Sequence, residues 1–292
     1  MTDYLIVNAD DFGLEEEVNA AVIAAHRNGI VTSASLIANG RGFYNAVALA
    51  RENPNLGVGA HLSLTRGPSL LGGPILGPSD VPSLVRGDGL FPQNPTTLSA
   101  RILMGFVKIS HIRKELAAQL ERIHSAGVRI SHIDSHQHIH LCPPVFRIVV
   151  ELASQYQVQW LRMPLRRVSP GNASLRGWLK GGTVEKLAAR NMPVAVAAGL
   201  RSADCYAGIE CAGHLSEDGI EKMLMSHPGG MMELLSHPGL DDAQLSRNHP
   251  WNYKWSEELS ALCSIRVREV VKKAKLTLTN YLRLGDEASR LQ

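Results

Sequence analysis

Short apolar runs that stop at polar residues alternate with longer stretches of helical period, and this alternation predicts an α/β fold. Tyr4-Leu5-Ile6-Val7 leads into Asn8-Ala9-Asp10-Asp11-Phe12-Gly13 and reads as a buried strand that ends in two adjacent carboxylates. Leu14, Val18, Ala21, Val22 and Ala25 then fall at helical spacing. Glu15, Glu16 and Glu17 occupy the first turn, His26 and Arg27 the last, and Gly29 closes the helix. A strand over 32–38 follows, then a helix marked by Phe43, Ala46, Val47 and Ala50 that ends before Pro54. The next strand, 56–62, carries His61 near its carboxyl end. Strand, helix, strand at this short spacing is the signature of a parallel sheet built from βαβ units.

From 65 to 93 the pattern breaks into glycine, proline and isolated apolar residues, too long for an ordinary connection and better read as a functional loop or lid. A single helix is expected over 98–125, with Ile112, Leu116, Leu120 and Ile123 on its apolar face. The strand 128–134 runs straight into Ser135-His136-Gln137-His138-Ile139-His140, and Pro143 and Pro144 open the next helix. Another strand, 157–163, ends at Arg162-Met163-Pro164. The segment 165–213 is less legible; it starts with Arg166 and Arg167, and its small-residue run 194–198 reads as strand. Ser216, Glu217 and Asp218 start a helix, and a strand over 231–236 leads to His237-Pro238-Gly239. Helices from near Ser256 and over 266–273 and a last strand over 276–281 complete the chain. No internal repeat argues for a solenoid; at this length one catalytic (β/α) barrel with loop insertions near 65–97 and 165–213 fits as well as two small domains would, and a single domain over 1–292 is the expectation.

Composition narrows the class. The chain has 292 residues and a net charge of +3, from 30 Lys plus Arg against 27 acids, which leaves no nucleic-acid footprint. Its four cysteines form no C-x-x-C pair, the start of the chain lacks the basic and long apolar regions of a signal peptide, and no run approaches a membrane span. A cytoplasmic setting is expected, with no transmembrane segment. The 12 histidines change the picture most, because imidazole is the usual metal ligand and proton shuttle at neutral pH.

The residues at the expected strand carboxyl ends are of one chemical kind: Asp10, Asp11, His61, Asp134, His136, His138, His140, Arg162 and His237. In a parallel barrel they meet at one mouth, where one carboxylate and two imidazoles can hold a metal and leave positions open for water and substrate. Two neighbouring acids repel when both are ionised, so a cation or a shared proton is expected beside them, although either Asp alone also suits a helix N-cap. If 135–140 is extended, residues i and i+2 share a face and His136, His138 and His140 cannot all reach one ion. One of them, His136, is expected as ligand, with the other two behind it or against substrate. Any single histidine is more often a satisfied core or surface residue; the paired acids tip the balance for His136.

Asn8-Ala9-Asp10-Asp11-Phe12-Gly13, Gly59-Ala60-His61-Leu62, His132-Ile133-Asp134-Ser135-His136-Gln137-His138-Ile139-His140 and Ser236-His237-Pro238 resemble, in order and spacing, the successive motifs of the YdjC-like carbohydrate deacetylases. That family includes chitooligosaccharide deacetylases and hopanoid-biosynthesis-associated deacetylases, and the resemblance runs from residue 4 to about 240. It implies a distorted (β/α) barrel of the polysaccharide-deacetylase-like type and a divalent metal held by Asp11, His61 and His136. The ion would be Mg2+ by the family's usual assignment, with Zn2+ or another transition metal suited to the softer donor set. It further implies Asp10 as general base for the attacking water and His237 as general acid for the leaving amine. His237 is preferred over His227, the other Ser-His-Pro-Gly copy, because it follows a strand-like run. Arg162 is expected to orient Asp10, bind substrate or form a structural ion pair, and Asp134 to support a ligand or shape the strand-end turn.

The implied reaction is metal-dependent hydrolysis of the N-acetyl group of an amino-sugar-containing substrate (chitooligosaccharide, glycolipid or related glycan), releasing acetate. The partner is then an N-acetylated sugar, and a homodimer remains open. The chain departs from the short chitooligosaccharide enzymes in 165–213 and in its C-terminal segment, and 199–204 faintly resembles the hopanoid-associated subgroup. A barrel amidohydrolase or phosphoesterase is an alternative, but that class usually carries His-x-His on the first strand, where this chain has Asp10 and Asp11. A non-catalytic sugar-binding protein would need an aromatic platform; only Trp251, Tyr253 and Trp255 cluster, and such residues are more often core or loop anchors.

Overall fold

The computed structural model describes residues 2–66, 73–171 and 174–290, apart from the side chains of 287–290; part of the expected lid, 67–72, lies outside the described residues. Eight strands, all parallel, form one sheet. They are β1 (Asp3–Phe12), β2 (Ser33–Leu36), β3 (Gly57–Leu62), β4 (Ile133–Ser135), β5 (Arg167–Val168), β6 (Cys205–Ala207), β7 (Met231–Ser236) and β8 (Leu276–Leu278). The order is β4-β3-β2-β1-β7-β6-β5, with β8 paired to the start of β1. Beyond β4 the sheet continues through single bridges, Ile133 to Leu161 and Trp160 to Arg201. The result is a curled, irregular parallel half-barrel, as the strand pattern predicts.

Helices α1 (Glu16–Asn28), α2 (Phe43–Glu52), α3 (Pro95–Leu103), α4 (Ile109–Ser125), α5 (Pro143–Gln155) and α6 (Leu175–Ala197) occur in the connections of the first two thirds. Helices α7 (Glu217–Met225), α8 (Asp242–Asn248), α9 (Trp255–Cys263), α10 (Ile265–Lys273) and α11 (Tyr281–Arg290) follow. Among the described residues, no helix is long and apolar enough to cross a membrane.

Side-chain alternation along β1 explains where the core and the site lie. Leu5, Val7 and Ala9 join the large apolar core, whereas Ile6 packs with Trp160 and Tyr281 in a separate small cluster. Because successive strand residues point to opposite faces, Asn8 and Asp10 share the face of Ile6. The sheet is therefore backed by apolar residues on one side and carries a polar column on the other.

Six sequence expectations need correction. The strand expected over 128–134 is confined to β4, Ile133–Ser135. The single helix over 98–125 is two, α3 and α4, interrupted where Gly105 takes a φ of +79°. The run 194–198 is not strand but the end of α6. Gly181, Val184, Ala188, Asn191 and Ala195 are its buried positions, at helical spacing, while Val194 and Val196 are exposed, so burial and not β-branching decides. The strand 157–163 shrinks to the bridges at Trp160 and Leu161. The last strand stops at Leu278, and Tyr281 opens α11. Finally, 136–141 is not extended but a tight 3-10 turn in which Gln137 and His138 adopt φ of 54° and 56°.

Candidate active site

Asp10 and Asp11 are separated by a bulge. Ala9 pairs with Ala34 and Phe12 with Leu36, so three steps on β1 oppose two on β2. Asp11 takes the extra residue's strain, with a φ of +63° that non-glycine residues rarely adopt. Gly13 follows at φ +93°, and a Cβ there would come within 2.8 Å of Leu36 and 3.0 Å of the Ile37 carbonyl oxygen. The bulge aims the two carboxylates at different partners.

Asp10 belongs to the inward column. Arg162, fully buried, donates to both its oxygens, Nη1 to Oδ2 and Nη2 to Oδ1, each at 2.8 Å. The same guanidinium reaches Asp134 Oδ2 at 2.7 Å and Glu233 Oε1 at 2.6 Å. Below it, the Tyr281 hydroxyl donates to Glu233 Oε2. Asn8 Nδ2 donates to Asp10 Oδ1 and to Ser35 Oγ, both at 2.8 Å, and Ser35 Oγ donates to Asp134 Oδ2 at 2.7 Å. One buried cation thus sits among three carboxylates. Burial works against the Arg162 charge, but Asp10, Asp134 and Glu233 together hold its pKa well above the ordinary value.

Asp11 faces the histidines. Its Oδ1 lies 3.4 Å from His61 Nε2 and 3.2 Å from His136 Nδ1. Two ligands of one ion with bonds of about 2.1 Å sit about 3 Å apart, so this spacing suits a shared metal. Behind His61, Asp134 Oδ1 is 2.7 Å from Nδ1, which fixes the ring with Nε2 toward Asp11. Burial opposes ionisation of Asp11, but His136, His61 and His237 outweigh it and hold the carboxyl well below the usual range. For His61, burial lowers the pKa, yet Asp134, Asp10 and Asp11 raise it to about 9. A second trio, Asp10, His61 and Asp134, also brings ligand atoms within 4.8 Å of one another. Arg162 already occupies the space between those two carboxylates, so Asp11, His61 and His136 form the better cation site. His136 Nε2 and His237 Nδ1 are buried with no protein partner, which marks the mouth as a place that takes polar ligands.

His237 follows β7, and its Nε2 stands 3.9 Å from Asp10 Oδ2. His227 lies 4.0 Å from Asp3, at the opposite end of β1. His138 sits on the turn, half-buried; burial first and then the Lys180 charge hold its pKa well below the ordinary value. His140 does not reach the mouth. It is fully buried, with Nδ1 2.5 Å from Ser135 Oγ and Nε2 2.9 Å from the Arg162 carbonyl oxygen, so both nitrogens are engaged.

Several site residues escaped the sequence reading. Trp251 stacks 5.3 Å from His136 and Tyr253 lies 5.1 Å from His237, both half-buried, whereas Trp255 behind them is fully buried. The expectation of core or loop anchors therefore fits Trp255, and the other two border the mouth. Glu258, buried on α9, accepts from the backbone N–H of His237 at 2.5 Å and of Leu215 at 3.0 Å; burial pushes its carboxyl up to about 7. Lys180, on α6, is exposed along its stem, but its ammonium comes within electrostatic reach of Asp10 and His237, and desolvation draws its pKa down. No local pattern flagged Glu258 or Lys180, because each is brought to the mouth by a helix far away in sequence.

A trio that could hold a metal ion, a clamped carboxylate and a facing imidazole thus meet at the carboxyl ends of parallel strands. The chain belongs to the YdjC-like protein family, whose model matches residues 4–273, and it is an enzyme of that family. A carbohydrate deacetylase from Brevibacillus brevis is 34% identical over 96% of this chain and 99% of its own. The chitooligosaccharide deacetylase of Salmonella typhimurium is 41% identical over 53% of this chain and 57% of its own. In structure, a proposed cellobiose-phosphate cleavage protein from Enterococcus faecalis, 27% identical, superposes with a TM-score of 0.75 over 97% of this chain and 99% of that one.

Proposed function

We propose that the chain is a metal-dependent carbohydrate N-deacetylase that removes the N-acetyl group of an amino-sugar-containing substrate, a chitooligosaccharide, a glycolipid or a related glycan. The observation that carries this reading is the division of work between adjacent acids: Asp11 turns to His61 and His136, and Asp10 is clamped by Arg162 beside His237. The names of the Brevibacillus and Salmonella relatives support the substrate class.

Asp11, His61 and His136 would hold one divalent ion. Bound there, it would polarise the acetamide carbonyl and favour ionisation of a water. Mg2+ follows from the family resemblance, while two imidazoles in the donor set suit Zn2+ or another transition metal as well. Arg162 fixes the plane of the Asp10 carboxylate; with Asn8 also donating to Oδ1, Oδ2 is the oxygen that keeps a lone pair with which to take the proton of the attacking water. His237 gives a proton to the amide nitrogen as the C–N bond breaks, so that acetate and a free amine leave. Its position 3.9 Å from Asp10 lets the proton gained from water replenish the one it donates. Trp251 offers an apolar face at the mouth against which a sugar ring can lie.

The test is acetate release from N-acetylglucosamine oligomers and from N-acetylglucosaminyl glycolipids, with and without chelator. Acetate should appear from one substrate class, vanish with chelator and return on adding divalent ions, whose ranking identifies the metal. Undiminished release from metal-free protein, or none from either class, contradicts the proposal.

A further inference from the structure

Two segments near the mouth place bulky apolar side chains in solvent beside cations. In and around the α3–α4 connection, Leu103, Met104, Phe106 and Ile109 are 64, 63, 65 and 44% exposed. Arg101, Lys108, Arg113 and Lys114 lie in the same stretch of sequence, with Arg113 paired to Glu151 and Arg101 donating to the Ser83 carbonyl oxygen. At the start of α6, Leu175, Trp178 and Leu179 form an i, i+3, i+4 ridge, 74, 54 and 55% exposed, interleaved with Arg176 and Lys180. From 165 to 197 the chain carries six basic residues, Arg166, Arg167, Arg176, Lys180, Lys186 and Arg190, against one acid, Glu185. Among the described residues, Lys108, Lys114 and Arg176 have no ion-pair partner, while the Lys180 ammonium turns toward Asp10 at the mouth. Both α3 and α6 contact the turn His136–Leu141, α6 through Asn191 near its end, and in its first turns Lys180 comes within electrostatic reach of His138, so both helices border the wall of the mouth that carries His136.

Single exposed apolar residues are ordinary, but clusters of this size mark an interface. Aromatic and aliphatic side chains interleaved with unpaired Lys and Arg fit one occupant best, an anionic lipid surface: the apolar groups enter the headgroup layer and the cations meet its charge. A second copy of the chain fits poorly, because a two-fold interface through these segments would set like cations against each other. With no membrane-crossing helix among the described residues, such contact is peripheral. We propose that the 101–114 segment and the first turns of α6 form a docking surface for an anionic bilayer and hold the mouth at that surface. The inference does not rest on the amide substrate, so its test and the acetate test fail separately.

The experiment is co-sedimentation of the full chain with vesicles of phosphatidylcholine and phosphatidylglycerol, and with phosphatidylcholine alone, at low and high salt. Binding to the mixed vesicles is expected, weakened by salt, with a blue shift in tryptophan emission. Trp178 is the one tryptophan in the chain more than half exposed, so Trp178→Phe should remove the shift and keep binding. Trp178→Ser with Leu179→Ser, and Met104→Ser with Phe106→Ser, should each lower the bound-to-free ratio by about tenfold or more. The thermal midpoint should not move, because all four side chains are exposed. Lys108→Gln with Arg176→Gln should erase the preference for the anionic vesicles. No binding to mixed vesicles, or binding that either apolar pair of substitutions leaves intact, overturns the proposal. So does a dimer in solution that disperses in those variants, which would assign the surface to a second copy.

Discussion

Inside the barrel, from Tyr281 at one end to Asp10 at the other, every carboxylate has a partner: Glu233 takes Tyr281 and Arg162, Asp134 takes Ser35, His61 and Arg162, and Asp10 takes Asn8 and Arg162. At the rim, the 101–114 segment and the first turns of α6 leave cations unpaired and leucine, phenylalanine and tryptophan in solvent. The two regions obey different constraints. A group in the column cannot change alone without stranding a buried charge, whereas a rim residue can change at little cost to folding. The column is therefore the constrained part of the molecule, and the rim the part free to vary.

Four expectations sharpen that contrast, from the largest effect down. His237→Ala should lower kcat by about 10²- to 10⁴-fold in the acetate assay without changing metal content, because a general acid is lost but no ligand. Arg162→Met should destabilise the fold by about 3–5 kcal/mol in chemical denaturation, since Asp10, Asp134 and Glu233 lose their shared cation. Equal stability of this variant would show that the column is not the constraint described.

Metal affinity supplies the third. His61, raised to about 9, holds a proton at neutral pH that a metal must displace, so apparent affinity should climb about tenfold per pH unit and level off near pH 9. A titration that is flat between pH 6 and 8 counts against His61 as a ligand. The smallest effect belongs to Glu258. Its folded-state carboxyl, at about 7, lies above the ordinary glutamate value of 4.5, so the native state binds more protons between those values and stability falls as pH rises through that window. Glu258→Gln should flatten this slope in pH-dependent thermal unfolding, with a lesser effect on turnover than His237→Ala, because an amide oxygen can still accept from the His237 N–H.

The strand-end groups of the mouth were legible in the sequence, whereas Glu233 and Tyr281 deeper in the column, and most of the rim, were not. Asp10, Asp11, His61, Asp134 and His136 sit where short apolar runs end, and strand ends in a parallel sheet converge whatever the loops do. The bulge at Asp11 and the left-handed Gln137 and His138 left no such trace, since those residues also suit ordinary backbone. The spacing left His140 either behind His136 or against substrate; the tight turn puts the ring behind, on the Arg162 carbonyl. In α6, Val194 and Val196 imitate a strand, and only the burial of Val184, Ala188, Asn191 and Ala195 reveals the helix that carries Lys180 to the site. Glu258 was invisible because it acts on the His237 backbone from α9, a contact set by packing and not by spacing.

The central claim, that two adjacent aspartates do different work, is tested most directly by metal content and acetate release measured together on Asp10→Asn and Asp11→Asn. Asp10→Asn should keep its metal and lose turnover by about 10²-fold or more, while Asp11→Asn should lose both. Loss of metal from Asp10→Asn with retention by Asp11→Asn would contradict the assignment.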